Sequence, residues 1–102
     1  MRKGLIEYCV MQICSGKPVY VGEIVTKLKD TDLIVVEGTL YPLLSRLASE
    51  KLVSYEWKES KTGPPRKYYK LTVDGHGVLE AYNSQWKELK KAVDGIIKGV
   101  KK

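Results

Sequence analysis

Residues 55–72 read YEWKESKTGPPRKYYKLT, two runs mixing aromatic and charged side chains around Gly63-Pro64-Pro65. Val53, Tyr55 and Trp57 alternate with Ser54, Glu56 and Lys58, and Tyr69 and Leu71 alternate with Tyr68 and Lys70. That is the period of half-buried strands, so the two runs are predicted to pair as a hairpin. Gly63 is expected to supply unusual dihedrals and Pro64-Pro65 to stiffen the chain. The tip is therefore expected to be a rigid loop bearing Lys61, Arg66 and Lys67 rather than a tight two-residue turn. Residues 58–70 carry five positive charges and one negative, which makes this hairpin a projecting basic wing.

Upstream of the wing the periodicity is helical. Apolar residues at 5, 6, 9, 10 and 13 form one stripe, closed by Ser15-Gly16-Lys17-Pro18. A short second helix over 21–29 carries Ile24, Val25 and Leu28 on one face, followed by the polar break Asp30-Thr31-Asp32 and an apolar link at 33–36. The third helix, over about 38–51, sets Leu40, Leu43, Leu44 and Leu47 on the core side. At 100° per residue its opposite face carries Tyr41, Pro42, Ser45, Arg46 and Ser49. Proline lacks an N–H, so Pro42 is expected in the first turn, with Thr39 as the N-cap and Gly38 permitting close approach at the helix start.

Downstream, Thr72 is the expected N-cap of a last helix reaching about residue 98. Leu79, Tyr82, Trp86, Leu89, Val93, Ile96 and Val100 follow each other at alternating steps of three and four. That is an a/d seam, and it requires another helix to cover it. The reading is a homodimer joined through Leu79, Tyr82, Trp86, Leu89, Val93 and Ile96. Residues 87–102 hold six lysines against Glu88 and Asp94, a charge balance that a solvated helix face and tail would also show.

At 102 residues the chain has room for one ordinary core. It divides into a unit of three helices and the wing at 1–72 and a dimerisation helix at 73–102. The net charge of +6, from 18 Lys and Arg against 12 Asp and Glu, favours an anionic partner. Met1-Arg2-Lys3 followed by LIEYCVMQIC superficially resembles a signal peptide, but Glu7 and Gln12 break the apolar run and no small-x-small site follows. No stretch approaches the roughly 18 apolar residues of a membrane span. The chain is read as soluble and cytoplasmic, without a membrane partner. Cys9 and Cys14 sit about 140° apart around a helix axis and cannot bridge within it, so both are read as reduced thiols. His76 lacks a nucleophile, metal-ligand spacing or glycine-rich phosphate loop nearby, so no enzyme, metal or cofactor is expected.

Three helices and then a two-stranded wing make a mainly α fold with a small β-hairpin, a winged helix-turn-helix with a C-terminal dimerisation helix. In that arrangement the third helix enters the major groove of double-stranded DNA while the wing tracks phosphates. The expected DNA-binding residues are Gly38, Thr39, Tyr41, Pro42, Ser45 and Arg46 on the helix and Lys61, Gly63, Arg66 and Lys67 on the wing. Arg46 can pair with guanine, Ser45, Thr39 and Tyr41 with base edges or phosphates, and the wing cations with phosphate alone. Tyr41 could instead cap the core edge, and Arg46 could pair with Glu50 one turn later. A winged helix that binds protein without specific DNA contact is the alternative class.

EGTLYPLLSRL at 37–47, GPPRKYYKLT at 63–72 and Gly75 together resemble the signature of the PadR family of bacterial transcriptional regulators. The resemblance spans about residues 5–98. It implies a dimeric winged-helix repressor released by a small molecule, and the single short C-terminal helix is similar to the smaller subgroup with multidrug-binding members. Relatives often carry a capping Ser before Glu-Gly-Thr where this chain has Val36. The resemblance places Trp86 at the aromatic position that lines an intersubunit pore in those members. A flat hydrophobic or cationic effector would then meet Trp86, Tyr82, Leu89, Tyr8 and Met11. Trp86 filling the interface is the other reading.

Overall fold

The computed structural model describes residues 2–100, with side chains from Gly4 onward. Met1, Lys101 and Lys102 lie outside the described residues, so the N-terminal residue and the last two lysines of the C-terminal basic cluster are not described. The order is α1 (Arg2–Cys14), α2 (Val21–Asp30), α3 (Glu37–Ser49), β1 (Val53–Ser60), β2 (Gly63–Leu71) and α4 (Val73–Val100). Among the described residues, no helix is long and apolar enough to cross a membrane.

The core lies where the three short helices meet the base of the hairpin. Val10, Met11 and Cys14 of α1, Ile24 and Leu28 of α2, Leu40, Leu44 and Leu47 of α3, Val53 of β1, Tyr69 and Leu71 of β2 and Leu79 of α4 are all buried in it. Each fully buried aliphatic side chain contributes about 1.5–3 kcal/mol relative to exposure. Burial also pushes the Cys14 thiol up to about 12, so it stays protonated, and both cysteines are free.

Both α2 and α3 end on a non-glycine residue in the left-handed region. Asp32 (φ 64) follows α2 and Lys51 (φ 62) follows α3. After α3, the Lys51 N–H donates to the Ala48 carbonyl and the Leu52 N–H to the Leu47 carbonyl, at 3.0 and 2.9 Å. After α2, the Asp32 N–H donates to Lys29 and the Leu33 N–H to Leu28, at 3.0 and 2.8 Å. Both are Schellman closures, which satisfy carbonyls the helix itself leaves open. The predicted third helix therefore stops short of Lys51, because that residue reverses the chain.

β1 and β2 are antiparallel, with Tyr55 opposite Tyr69 and Trp57 opposite Lys67. Val19 and Tyr69 exchange N–H···O bonds of 3.0 and 2.7 Å on the other edge of β2, tying the chain before α2 to the wing. The tip differs from expectation. Ser60 pairs with Gly63, leaving only Lys61 and Thr62 to turn, and Gly63 has no positive φ. The irregularity sits between the Lys58–Arg66 and Ser60–Gly63 pairs, where one residue of β1 faces Pro64 and Pro65. Prolines have no N–H for the ladder, so a bulge is where a strand accommodates them. Arg66 and Lys67 consequently belong to the strand rather than to a loop.

α4 is capped as its sequence predicts. The Thr72 hydroxyl accepts the Gly75 N–H at 3.0 Å and donates to the Lys51 carbonyl at 2.7 Å. The helix starts on the body through Gly75 and Leu79, then runs past it, which stretches the molecule to 58 × 28 × 21 Å.

Candidate nucleic-acid interface

α3 begins earlier than the capping pattern suggests. Its N-cap is Val36, with no side-chain cap, and the Thr39 and Leu40 N–H groups donate to the Val36 carbonyl at 3.0 and 3.3 Å. Thr39 is therefore inside the first turn rather than capping it, and Pro42 lies beyond that turn, inside the helix. Pro42 removes the donor that would otherwise meet the Gly38 carbonyl, on a face where Gly38 places no Cβ. The burial of Leu33 and Val35, which pack on the core, outweighs the cap preference.

The exposed face of α3 divides into two flanks. Glu37, Tyr41 and Ser45 turn toward the wing and, with Trp57, Pro65, Arg66, Lys67 and the start of α2 at Tyr20, Val21 and Gly22, line an open groove of about 460 Å³. Thr39, Pro42 and Arg46 line the other flank with Ile6 and the 34–36 link. Arg46 is engaged there. Its guanidinium meets Glu7 of α1 at 2.9 Å and Glu50 at 3.4 Å, and the Glu7 bond raises its pKa further. The anticipated Glu50 pair is present, and the Glu7 bond to another helix could not be read from α3 alone. Lys61 and Gly63 are exposed at the tip and are not among the residues that line the groove.

The wing cations rest on aromatic faces. Lys67 Nζ lies 4.3 Å from the Tyr55 ring centre and 5.3 Å from that of Trp57, and the Arg66 guanidinium carbon lies 4.4 Å from the Tyr20 ring centre. Each cation is held against a ring, while the N–H groups that do not face the ring remain free to reach an anion. Trp57 is well exposed at 63%, so it is a platform rather than core. Tyr20 was not among the residues the sequence singled out; Gly22 in the first turn of α2 is the one local sign that a ring packs there.

A second assembly sits where α1 meets α4. Tyr8 packs edge-on to Tyr82 at 6.2 Å and tilted to Trp86 at 6.5 Å, and its hydroxyl donates to the Asn83 side chain. Tyr8, Tyr82, Trp86 and Leu89 line one apolar hollow of about 400 Å³, to which Gly4, Leu5 and Gln85 also contribute. Met11 does not reach it. It is fully buried in the core. Leu79 likewise belongs to the core at 4% exposure, so the seam open to a partner starts after it. From Trp86 through Leu89, Val93, Ile96 and Ile97 to Val100 the apolar residues of α4 are exposed.

A winged helix whose α3 and cation-bearing wing share one groove has the architecture of a DNA-binding regulator. Residues 10–81 match the model of the transcriptional regulator PadR-like family, and the chain belongs to that family. It superposes on a PadR-like transcription factor from Bacteroides fragilis with a TM-score of 0.83 and 55% identity, covering 94% of this chain and 93% of that one. A PadR-like regulator from Bacillus cereus gives 0.84 at 39% identity, covering 95% of each chain. A PadR family regulator from Clostridium difficile gives 0.82 at 29%, covering 90% of this chain and 97% of that one. Members of this family are transcription factors, not enzymes.

Proposed function

We propose that this regulator is a cytoplasmic homodimeric repressor that binds an inverted repeat through residues 1–72, dimerises through 73–102, and is released by a planar hydrophobic or cationic compound. The observation that carries the reading is the groove in which Tyr41 and Ser45 of α3 stand beside Arg66 and Lys67 of β2. In it α3 supplies base contacts and the wing supplies phosphate contacts, while Gly38 and, on the other flank of α3, Thr39 and Pro42 lie against the DNA backbone. A two-fold dimer presents two such grooves to one face of the duplex, with half-sites about one helical turn or a small multiple apart. Occupying promoter DNA in this way is enough to repress.

Dimerisation is supported by the uncovered stripe on α4, since five consecutive seam positions, from Trp86 to Val100, left in water would be an aggregation patch. Introducing charge with Leu89→Glu and Val93→Glu should weaken self-association tenfold or more and remove cooperative binding to paired half-sites. Sedimentation and light scattering measure the first, and titration of full and half operators, selected from random duplexes, measures the second. A wild-type chain that is monomeric at micromolar concentration overturns the dimer.

The hollow of Tyr8, Tyr82, Trp86 and Leu89 supports effector release. Two indoles brought near the dimer axis would attract flat or cationic ligands by stacking and cation–π contact. A ligand that prefers a wing separation unfit for the operator lowers DNA affinity by that difference alone. In a Trp57→Phe background, planar dyes should quench Trp86 at micromolar concentration, and Trp86→Ala should abolish dye binding while leaving the dimer. An unresponsive Trp86 across a chemically diverse panel reduces that residue to packing.

A further inference from the structure

We propose that Tyr20, which lies on neither the recognition helix nor the wing, is a positioning residue for the DNA contact and holds the Arg66 guanidinium ready beside α3. The Tyr20 ring lies on Gly22: a Cβ built there would stand 2.7 Å from Cε2 and 3.3 Å from Cδ2 of the ring. The guanidinium carbon of Arg66 lies over the ring at 4.4 Å, and Tyr68 packs against it edge-on at 5.4 Å. The ring is thus enclosed by the first turn of α2 and two side chains of β2.

Its mounting is rigid on both sides. Val19, the preceding residue, is bridged to Tyr69 of β2, and Tyr20 itself is the N-cap of α2. The Tyr20 N–H donates to the Glu23 carboxylate at 3.2 Å, and its carbonyl accepts from the N–H groups of Glu23 and Ile24. Arginine is otherwise a long side chain that loses much rotamer freedom on docking. Stacking occupies only the face of the guanidinium, whose donors all lie in its plane and remain available to a phosphate. A group ordered before binding loses less on binding, so the ring contributes affinity without adding charge.

The proposal rests on the assignment of Arg66 to the phosphate backbone, and the experiment separates the two. Binding of the selected operator duplex is measured across a salt series for the full chain carrying Tyr20→Leu, Tyr20→Phe, Gly22→Ala, Arg66→Ala, and Tyr20→Leu with Arg66→Ala. Tyr20→Leu should weaken binding about tenfold with an unchanged salt slope, because no charge is lost. Tyr20→Phe keeps the ring and should bind as the parent does. Gly22→Ala displaces the ring while favouring the helix, and should reproduce Tyr20→Leu even where leucine impairs folding. Arg66→Ala should flatten the slope by about 2 for the dimer, and in that background Tyr20→Leu should cost nothing more. An equal loss from Tyr20→Leu with and without Arg66 overturns the positioning role and leaves the wing assignment standing. An unchanged slope in Arg66→Ala overturns the wing assignment itself.

Discussion

Changing Arg66 and Lys67 together to alanine should lower affinity for every duplex sequence about a thousandfold at about 0.1 M salt and flatten the salt dependence by about 3.6, as loss of the four phosphate contacts per dimer proposed for the wing requires. Both cations border the groove beside Tyr41 and Ser45, and both are seated on aromatic rings. Because phosphate contacts carry no sequence information, the ratio of specific to nonspecific affinity should barely change. Tyr41→Ala should do the reverse, reducing discrimination more than nonspecific affinity. Lys29→Ala, at the far end of α2, is the control for bulk charge, and its slope should stay near the parent's. Fluorescence anisotropy with operator and scrambled duplexes reads all of these, and a parent-like slope for the double variant sinks the wing's role.

Gly75→Ala should lower the stability of the fold by about 4 kcal/mol, the range reserved for mutations with a named steric cause. At about 4–8 °C per kcal/mol for a chain of this size, that is a fall in melting midpoint of about 16–32 °C. A Cβ at Gly75 would stand 2.0 Å from the Leu52 carbonyl oxygen and 3.2 Å from Leu71 Cδ2. The oxygen cannot give way, because it accepts the Thr72 N–H at 3.0 Å beside the Thr72 cap that starts α4. The whole helix would have to lift from the hairpin, carrying Leu79 out of the core. Gly77 is the internal contrast, two positions along the same helix with nothing within 4 Å of its Cβ position. Gly77→Ala should therefore stabilise by about 0.5–1 kcal/mol through helix propensity alone. Thermal and urea unfolding by circular dichroism compare the two, and a Gly75→Ala protein as stable as the parent contradicts the packing described here.

Part of this was legible before any coordinates, and the division follows from how far each signal reaches along the chain. The helical stripes, the alternation of the wing and the Thr72 cap depend on residues a few positions apart, so the sequence by itself determined a winged helix with a long final helix. The signature at 37–47 and 63–75 pointed the same way. Local rules failed where a competing contact came from elsewhere. Thr39 lost the cap to Val36 once Leu33 and Val35 packed on the core, and Pro64-Pro65 took a bulge in β2 because Lys61 and Thr62 already closed the turn. An amphipathic period marks an apolar face without saying what covers it, so only the tertiary structure decided that Met11 and Leu79 complete the core while Trp86 and Val93 stay open. It also decided that Arg46 is bound by Glu7 and that Arg66 lies on Tyr20, since each pair joins elements whose relative placement is set by burial of the shared core rather than by either segment's own pattern.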